Sequence, residues 1–533
     1  MSSDIKKIVG NLIDVKDFKY DRKFSRVARL HKYWSRKPWF IIDEYIKKYS
    51  REGDAVLDPF CGSGIIGLES IIAGRSFIGY DLNPFASFLA NSSLDTRFEE
   101  EVFIQELNFL KKRVAKRIMN FYSYGKNKYI LYTILGKGNK KNYNAVVSNK
   151  FFREKEKTII DEKFLNPKIR FPKRLIYPDK YFPKKFYKDR FSYKGVSKVS
   201  DMFTKRNLLS LAILYDSIQN IKSDSKDLFM LAFTNTLLHV SKLKAENVRP
   251  LSVNNFWIPD DFIEENVWWR FVDRLNNIKL AKRVISKRVL QNDLTPGKYK
   301  IYNKSSLKMK KISNNSIDYL ITDPPYGDAI QYSELSYIWN CWLDKDFRIK
   351  EEVIINPVQN KGFDDYYDQL KLFISESKRV LKKDGYFTLA FQNKDLKIWV
   401  AIAELIRDQG MKLTDISSYN TFGNPYNKNW AKFSPKSDFY VTFKNTGKKI
   451  RTKKGGIYPE EIANDIVNYL GENNGSLFNL NKAYDLFVAV VLNKIFNGYK
   501  IYDYKKLNVE NIIKLFERVI KYGNIQARLF QNI

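Results

Sequence analysis

GDAVLDPFCGSGIIGLESIIAGRSFIGYD, residues 53–81, decides the fold. AVLDPF at 55–60 is an apolar run that ends on an acid, as a buried strand does at its exit. CGSG at 61–64 permits a tight turn, and IIGLESIIAG at 65–74 has helical apolar spacing up to a glycine stop. SFIGYDLNP at 76–84 is a second strand, again closed by an acid. Strand, glycine loop, helix and strand in so short a span make a βαβ unit of the doubly wound α/β type.

Working outward, the turn cluster ISNNS leads into IDYLITDPPYG at 317–327, a further strand and its exit loop. RVLKKDGYFTLAFQN at 379–393 reads as helix end, turn and strand, and KSDFYVTFKN at 436–445 as an alternating strand. The sheet therefore starts near 55, stops near 95 and resumes near 300. Asp58 and Asp323 are 265 positions apart, so the sheet carries an insertion. Its first part is basic: residues 111–200 hold 26 Lys plus Arg against 6 Asp plus Glu, with seventeen Phe or Tyr among them. Such a mixture suits phosphates and unstacked bases, and equally a solvated basic subdomain with a small core. NLLSLAILYDSI at 207–218 and LFMLAFTNTLLHV at 228–240 are helical and read as packing. RTKKGG at 451–456 reads as a linker, with helical spacing beyond it. The expected division is 1–104 and 300–449 for the halves of the core, 105–200 for the basic insertion, 201–299 for a helical insertion, and 450–533 for a helical accessory domain.

A chain of 533 residues suits several domains, and 44% hydrophobic with 15% aromatic residues excludes a disordered chain. Lys and Arg number 93 against 59 Asp and Glu, a formal charge of +34. That excess favours a polyanionic partner, or else marks only a basic surface. Cys61 and Cys341 with His31 and His239 are too few and too far apart for a zinc cluster or a disulfide framework, so no metal site is expected. The opening MSSDIKKIVGNLIDVKDFKYDRK has no apolar signal core, and runs such as LFVAVVL at 486–492 are too short for a bilayer. The expected location is the cytoplasm, with no membrane partner.

Two constellations carry chemistry. In Asp58-Pro59-Phe60-Cys61-Gly62-Ser63-Gly64, glycines after a strand let a ligand approach the backbone, and the next helix offers free N–H groups. Asp81, at the end of the second strand with Asn83 beside it, is placed to accept both ribose hydroxyls of a nucleoside cofactor. In Asp323-Pro324-Pro325-Tyr326, two prolines stiffen the exit of a buried strand and leave carbonyls as acceptors. An exocyclic amine on a base is a poor nucleophile, because its lone pair is delocalised into the ring. A carboxylate and a carbonyl accepting its two hydrogens favour a pyramidal nitrogen, and Tyr326 offers a face for a flipped base. Cys61 reads as a small filler, and Trp339 and Trp342, at helical spacing, as core.

DPFCGSG followed by GYDLNP resembles motifs I and II of class I S-adenosylmethionine-dependent methyltransferases, in particular the amino-group DNA methyltransferases, and TDPPYG resembles their motif IV. HKYWSRKP at 31–38 stands where that family carries motif X, and DAIQYSELSYIWNCWL at 328–343 is similar to a bacterial branch. The resemblance covers roughly 25–95 and 300–445. It implies a seven-stranded, mostly parallel sheet, S-adenosylmethionine as cofactor, and double-stranded DNA with a flipped target base as partner. By position it implies Phe60, Gly62, Ser63 and Gly64 at the methionine end of the cofactor and Asp81 at the ribose. Tyr33 and Lys37 would reach the cofactor carboxylate, and Asp323, Pro324 and Tyr326 the target amine. The motif order puts target recognition in the basic insertion, where Lys184, Lys185, Lys188 and Arg190 are expected to contact DNA. One departure is IYNKSSL at 301–307, which offers Asn303, Ser305 and Ser306 where the family often has an acid. The implied reaction is transfer to adenine N6. Alternatives are cytosine N4, guanine N2 in RNA, and a non-catalytic binding module. A restriction or defence protein is a candidate partner; no motif specifies a recognition sequence or an oligomeric state.

Overall fold

β1, Ala55–Asp58, lies inside a seven-stranded sheet because Val56 and Leu57 are fully buried on its two faces. The computed structural model describes residues 22–136, 141–149, 152, 154–165, 171–184, 186–187, 195–251, 256–420, 437–472 and 480–522. Lys185, Lys188 and Arg190, and most of the N-terminal stretch quoted above, lie outside the described residues. The strands that follow are β2 (Ser76–Tyr80), β3 (Lys128–Leu135), β4 (Asn142–Asn149), β5 (Lys155–Asp161), β6 (Phe262–Glu265), β7 (Tyr299–Tyr302), β8 (Ile317–Thr322), β9 (Leu381–Phe391), β10 (Met411–Asn420) and β11 (Ser437–Asn445). The large sheet has the order β10-β11-β9-β8-β1-β2-β7. β1 is parallel to β2 and β8, β2 to β7, and β8 to β9, while β11 is antiparallel to β9 and β10. This is the doubly wound, mostly parallel sheet of seven strands that the family resemblance implies.

The helix Ile65–Ile72 is buried all round, Glu69 included. The Glu69 carboxylate is satisfied by Arg288, whose guanidinium donates to both its oxygens at 2.7 and 2.6 Å. Arg288 comes from the helix Val267–Leu290, so the inserted helices clamp the first βαβ unit. The helix Pro84–Leu94 begins where the Asn83 side chain accepts from the Phe85 N–H, with Pro84 at its first position.

The expected boundary near 200 does not separate two bodies. β5, β4, β3 and β6 form one four-stranded sheet, and β6, beyond the boundary, pairs antiparallel with β3. Ile130, Val147 and Ile160 of that sheet share a core with Leu211, Phe229 and Phe271 of the helices. The helices after 450 pack on the large sheet. Ile466, Val491 and Phe516 of its helices are fully buried in the same core as Leu320, Phe387 and Val441 of the sheet. Apolar faces so large stay stable only when covered, and the sheet covers them. Among the described residues no helix is long and apolar enough to cross a membrane.

Candidate active site

In the large sheet the strand order reverses between β1 and β8, and ligands of doubly wound sheets bind at such a point, beyond the carboxyl ends of the strands. There the ends of β1, β2 and β8 bring Asp58, Asp81 and Asp323 to one cleft. Tyr33, Lys37, Phe60, Gly62, Ser63, Asn83 and Pro325 line it too. Two motifs far apart in sequence thus face one space. Among the described residues no group of His, Cys, Asp or Glu is arranged to hold a metal ion.

At the cofactor end, Gly62 has φ +49°, and a Cβ there would come within 3.0 Å of the Tyr33 ring. Asp81 accepts the Gly62 N–H at 2.9 Å and the Asn83 N–H at 2.8 Å. Burial pushes its carboxyl up to about 6, against the pull of those two N–H groups. Among the described residues no Lys or Arg is ion-paired with it. Asp58 is 1% exposed, accepts from the Thr322 hydroxyl at 2.6 Å and the Phe60 N–H at 3.0 Å, and is pushed up to about 8 by burial. It ties β1 to β8 as well as lining the cleft. The Phe60 ring stands edge-on to Phe373 at 4.9 Å.

Three expected cofactor residues have further contacts. Gly64, at φ +79°, has no room for a Cβ, which would meet Leu94 Cδ1 at 2.7 Å and Ala90 Cα at 3.0 Å. Its side-chain-free surface lets two helices approach, as glycines in such loops do. The Asn83 side chain caps the next helix, and its amide also bonds Ser336 and Asn340, at 3.1 and 3.0 Å. Lys37 turns from the glycine loop to the acceptor end. Its neighbour Arg36 reaches the loop instead, donating from Nε to Ser63 Oγ at 3.1 Å. Arg36 also donates to the Ala28 and His31 carbonyls, at 2.6 and 3.2 Å. Its place in HKYWSRKP is the signal that the sequence offers for it.

At the acceptor end, the Tyr326 hydroxyl donates to Asp323 Oδ1, and Lys37 Nζ donates to the Tyr326 hydroxyl at 2.6 Å. Lys37 Nζ lies 3.4 Å from Asp323 Oδ2 and 3.5 Å from Asp438 Oδ2. Burial raises the Asp323 carboxyl to about 6, with Lys37 the largest opposing influence. Asp438, on β11, belongs to no motif of the sequence; an acid in an otherwise packed alternating strand is its only mark. The Pro325 carbonyl accepts from Tyr366 at 2.7 Å and the Tyr326 carbonyl from the Asn393 amide at 3.4 Å. No hydrogen bond to the Pro324 carbonyl is found among the described residues. Tyr326 packs edge-on to Phe391 at 5.1 Å.

In the basic insertion, Lys184 is exposed. Its neighbours Phe182, Phe186 and Tyr187 are buried, so these aromatics anchor the segment where the sequence suggests base stacking. Phe182 packs on Tyr337 at 5.4 Å, and the Tyr187 N–H donates to Glu334 at 3.2 Å. The basic segment is therefore fixed to the stretch that follows the acceptor loop. Trp339 and Trp342 are core, 1% and 2% exposed.

A family model described as DNA methylase matches residues 6–92 and 317–518, more than half of the chain. Type II methyltransferase M.MvaI of Kocuria varians is 26% identical over 173 residues, 31% of this chain and 36% of that protein. DNA adenine methyltransferase YhdJ of Escherichia coli is 33% identical over 107 residues, 20% of this chain and 34% of that one. Type II methyltransferase M2.DpnII of Streptococcus pneumoniae is 35% identical over 68 residues, 13% of this chain and 25% of that one. The chain spans between a quarter and little more than a third of these curated relatives.

Proposed function

The chain belongs to the DNA methylase family, and from that premise we propose that it methylates the exocyclic N6 amine of an adenine flipped out of duplex DNA. The observation that carries the reading is two carboxylates on one cleft, Asp81 beside the glycine loop and Asp323 at the head of a stiff Pro-Pro-Tyr exit. The family's cofactor is S-adenosylmethionine, and the residues present fit it. Asp81 is a carboxylate on the cleft whose hydrogen-bond partners among the described residues are backbone N–H groups, which suits a pair of ribose hydroxyls. Phe60, Gly62 and Ser63 give a bare, apolar-edged approach beside it. Bound there, the cofactor supplies a methyl group on a sulfonium, already activated for displacement by a nitrogen lone pair.

The chain's part is positioning, worth many orders of magnitude when reacting atoms are held in line. Asp323 and the Pro324 carbonyl take the two amine hydrogens and so aim the lone pair. Tyr366 and Asn393 fix the loop through its other carbonyls. For a base to enter, the Tyr326 hydroxyl and the Lys37 ammonium must yield Asp323. The DPPY form of the loop supports adenine, and the type II names of two relatives support a modification role. The basic composition of residues 111–200 supports duplex binding through phosphates.

The test is transfer of labelled methyl from S-adenosylmethionine to unmethylated duplex DNA, followed by nucleoside separation. Label in N6-methyldeoxyadenosine is expected. Label in N4-methyldeoxycytidine moves the acceptor to cytosine. Label confined to RNA, or cofactor binding with no transfer to any nucleic acid, overturns the reading.

A further inference from the structure

Lys37 is 4% exposed and sits between two carboxylates that come from different strands, Asp323 at the exit of β8 and Asp438 on β11. Its distances to them, 3.4 and 3.5 Å, are nearly equal. Its third donor goes to the Tyr326 hydroxyl, which itself donates to Asp323. Both oxygens of Asp323 are thus in use. We propose that Lys37 is the positioning residue of the acceptor site: it bridges Asp323 and Asp438, keeps Asp323 an acceptor, and withdraws onto Asp438 when the target amine arrives. The inference rests on the methyl-transfer reading above.

The argument is electrostatic and geometric. Asp323 can accept an amine hydrogen only while ionised; once protonated, its hydroxyl turns donor. The groups that bear on it are Lys37, Tyr326, Asp438 and Tyr440 of β11, Asp58 of β1, and Tyr332. Lys37 is the one cation among them. It favours an ionised Asp323 against burial and the nearby Asp438 charge. The near-equal distances supply the second half. A small rotation of the ammonium frees Asp323 Oδ2 without stranding a buried charge, because Asp438 still holds it. A lysine tied to Asp323 alone would compete with the substrate; one shared with a second acid can be exchanged for it.

The experiment uses the full chain. The pH dependence of kcat/KM for DNA is measured for the wild type, Lys37→Met, Asp438→Asn and the double variant, with S-adenosylhomocysteine affinity alongside. In Lys37→Met the acidic limb is expected to move up by about one pH unit or more. In Asp438→Asn, which removes a like charge, it moves down, and the double variant falls between. Cofactor affinity stays near that of the wild type throughout. Limbs that stay in place in both single variants overturn the inference, as does a loss of cofactor affinity in Lys37→Met without a shifted limb. If Lys37→Met does not fold, Asp438→Asn still decides. If the wild type transfers no methyl group, the functional reading fails separately. Carboxyl-carbon NMR of Asp323, assigned by its loss in Asp323→Asn, then reads the same upward or downward titration without turnover.

Discussion

Replacing Asp81 by alanine should weaken the cofactor and leave the acceptor end intact. Asp81 Oδ2 and Oδ1 accept the N–H groups of Gly62 and Asn83, and the carboxylate lines the cleft. Removing it deletes the acceptor proposed for the ribose hydroxyls and unties the glycine loop in the same step. Hydrogen bonds to a charged group contribute about 1.5–3 kcal/mol, which is about a 10- to 150-fold rise in Kd. Asparagine is no conservative replacement here, because its NH2 would face one of two backbone donors. Calorimetry with S-adenosylhomocysteine near neutral pH reads the effect. The carboxyl is raised to about 6, so wild-type affinity should also fall as pH drops through that value, where the acceptor becomes protonated. Asp81→Ala should lose that dependence. An unchanged Kd in the variant, or a wild-type affinity flat from pH 8 to pH 5, refutes the ribose assignment.

Asp323→Ala should abolish methyl transfer with near-normal S-adenosylhomocysteine affinity; retained activity sinks the acceptor assignment. Neutralising Lys184, Lys185, Lys188 and Arg190 together should weaken duplex binding and lower its salt slope by about one for each phosphate that is no longer neutralised, while cofactor affinity holds. Equal slopes in both proteins would move target recognition elsewhere. Tyr484→Phe removes the hydroxyl that donates to the Asn393 carbonyl at 2.5 Å, and should cost about 1–2 kcal/mol in urea unfolding; a neutral result means that the helical tail does not brace this loop.

The elements that could be read from the sequence are those whose signal is local. AVLDPF, SFIGYD and IDYLITDPP each carry an apolar run and a terminal acid, and each is a strand where expected. That Asp58, Asp81 and Asp323 share one site is what the family resemblance of their motifs implies. What stayed hidden depends on pairing across long separations. β6 joins β3 from the far side of two helices, with nothing periodic to announce it. The helices after 450 have apolar faces that would suit a free-standing bundle, and only the sheet's own bare face shows that they cover it. Lys37 and Arg36 are adjacent in HKYWSRKP but point to opposite ends of the cleft, a choice made by a turn in which Ser35 has φ +53°. Asp438 joins the site because β11 runs antiparallel beside β9, which brings its first residues to the exit of β8.

On the proposed reading, one environment yields three roles for the three acids of the cleft. Burial raises all of them, to about 8 for Asp58 and about 6 for Asp81 and Asp323. Their partners then separate them. Asp58 meets a hydroxyl and one N–H, so it takes up a proton most readily and serves as a latch between β1 and β8. Asp81 meets two backbone N–H groups that cannot move away, so its charge is held in place without a competing cation. Asp323 meets a lysine that has another acid to turn to. A fixed partner suits a group that keeps one ligand throughout turnover. An exchangeable partner suits a group that must receive a new base each time.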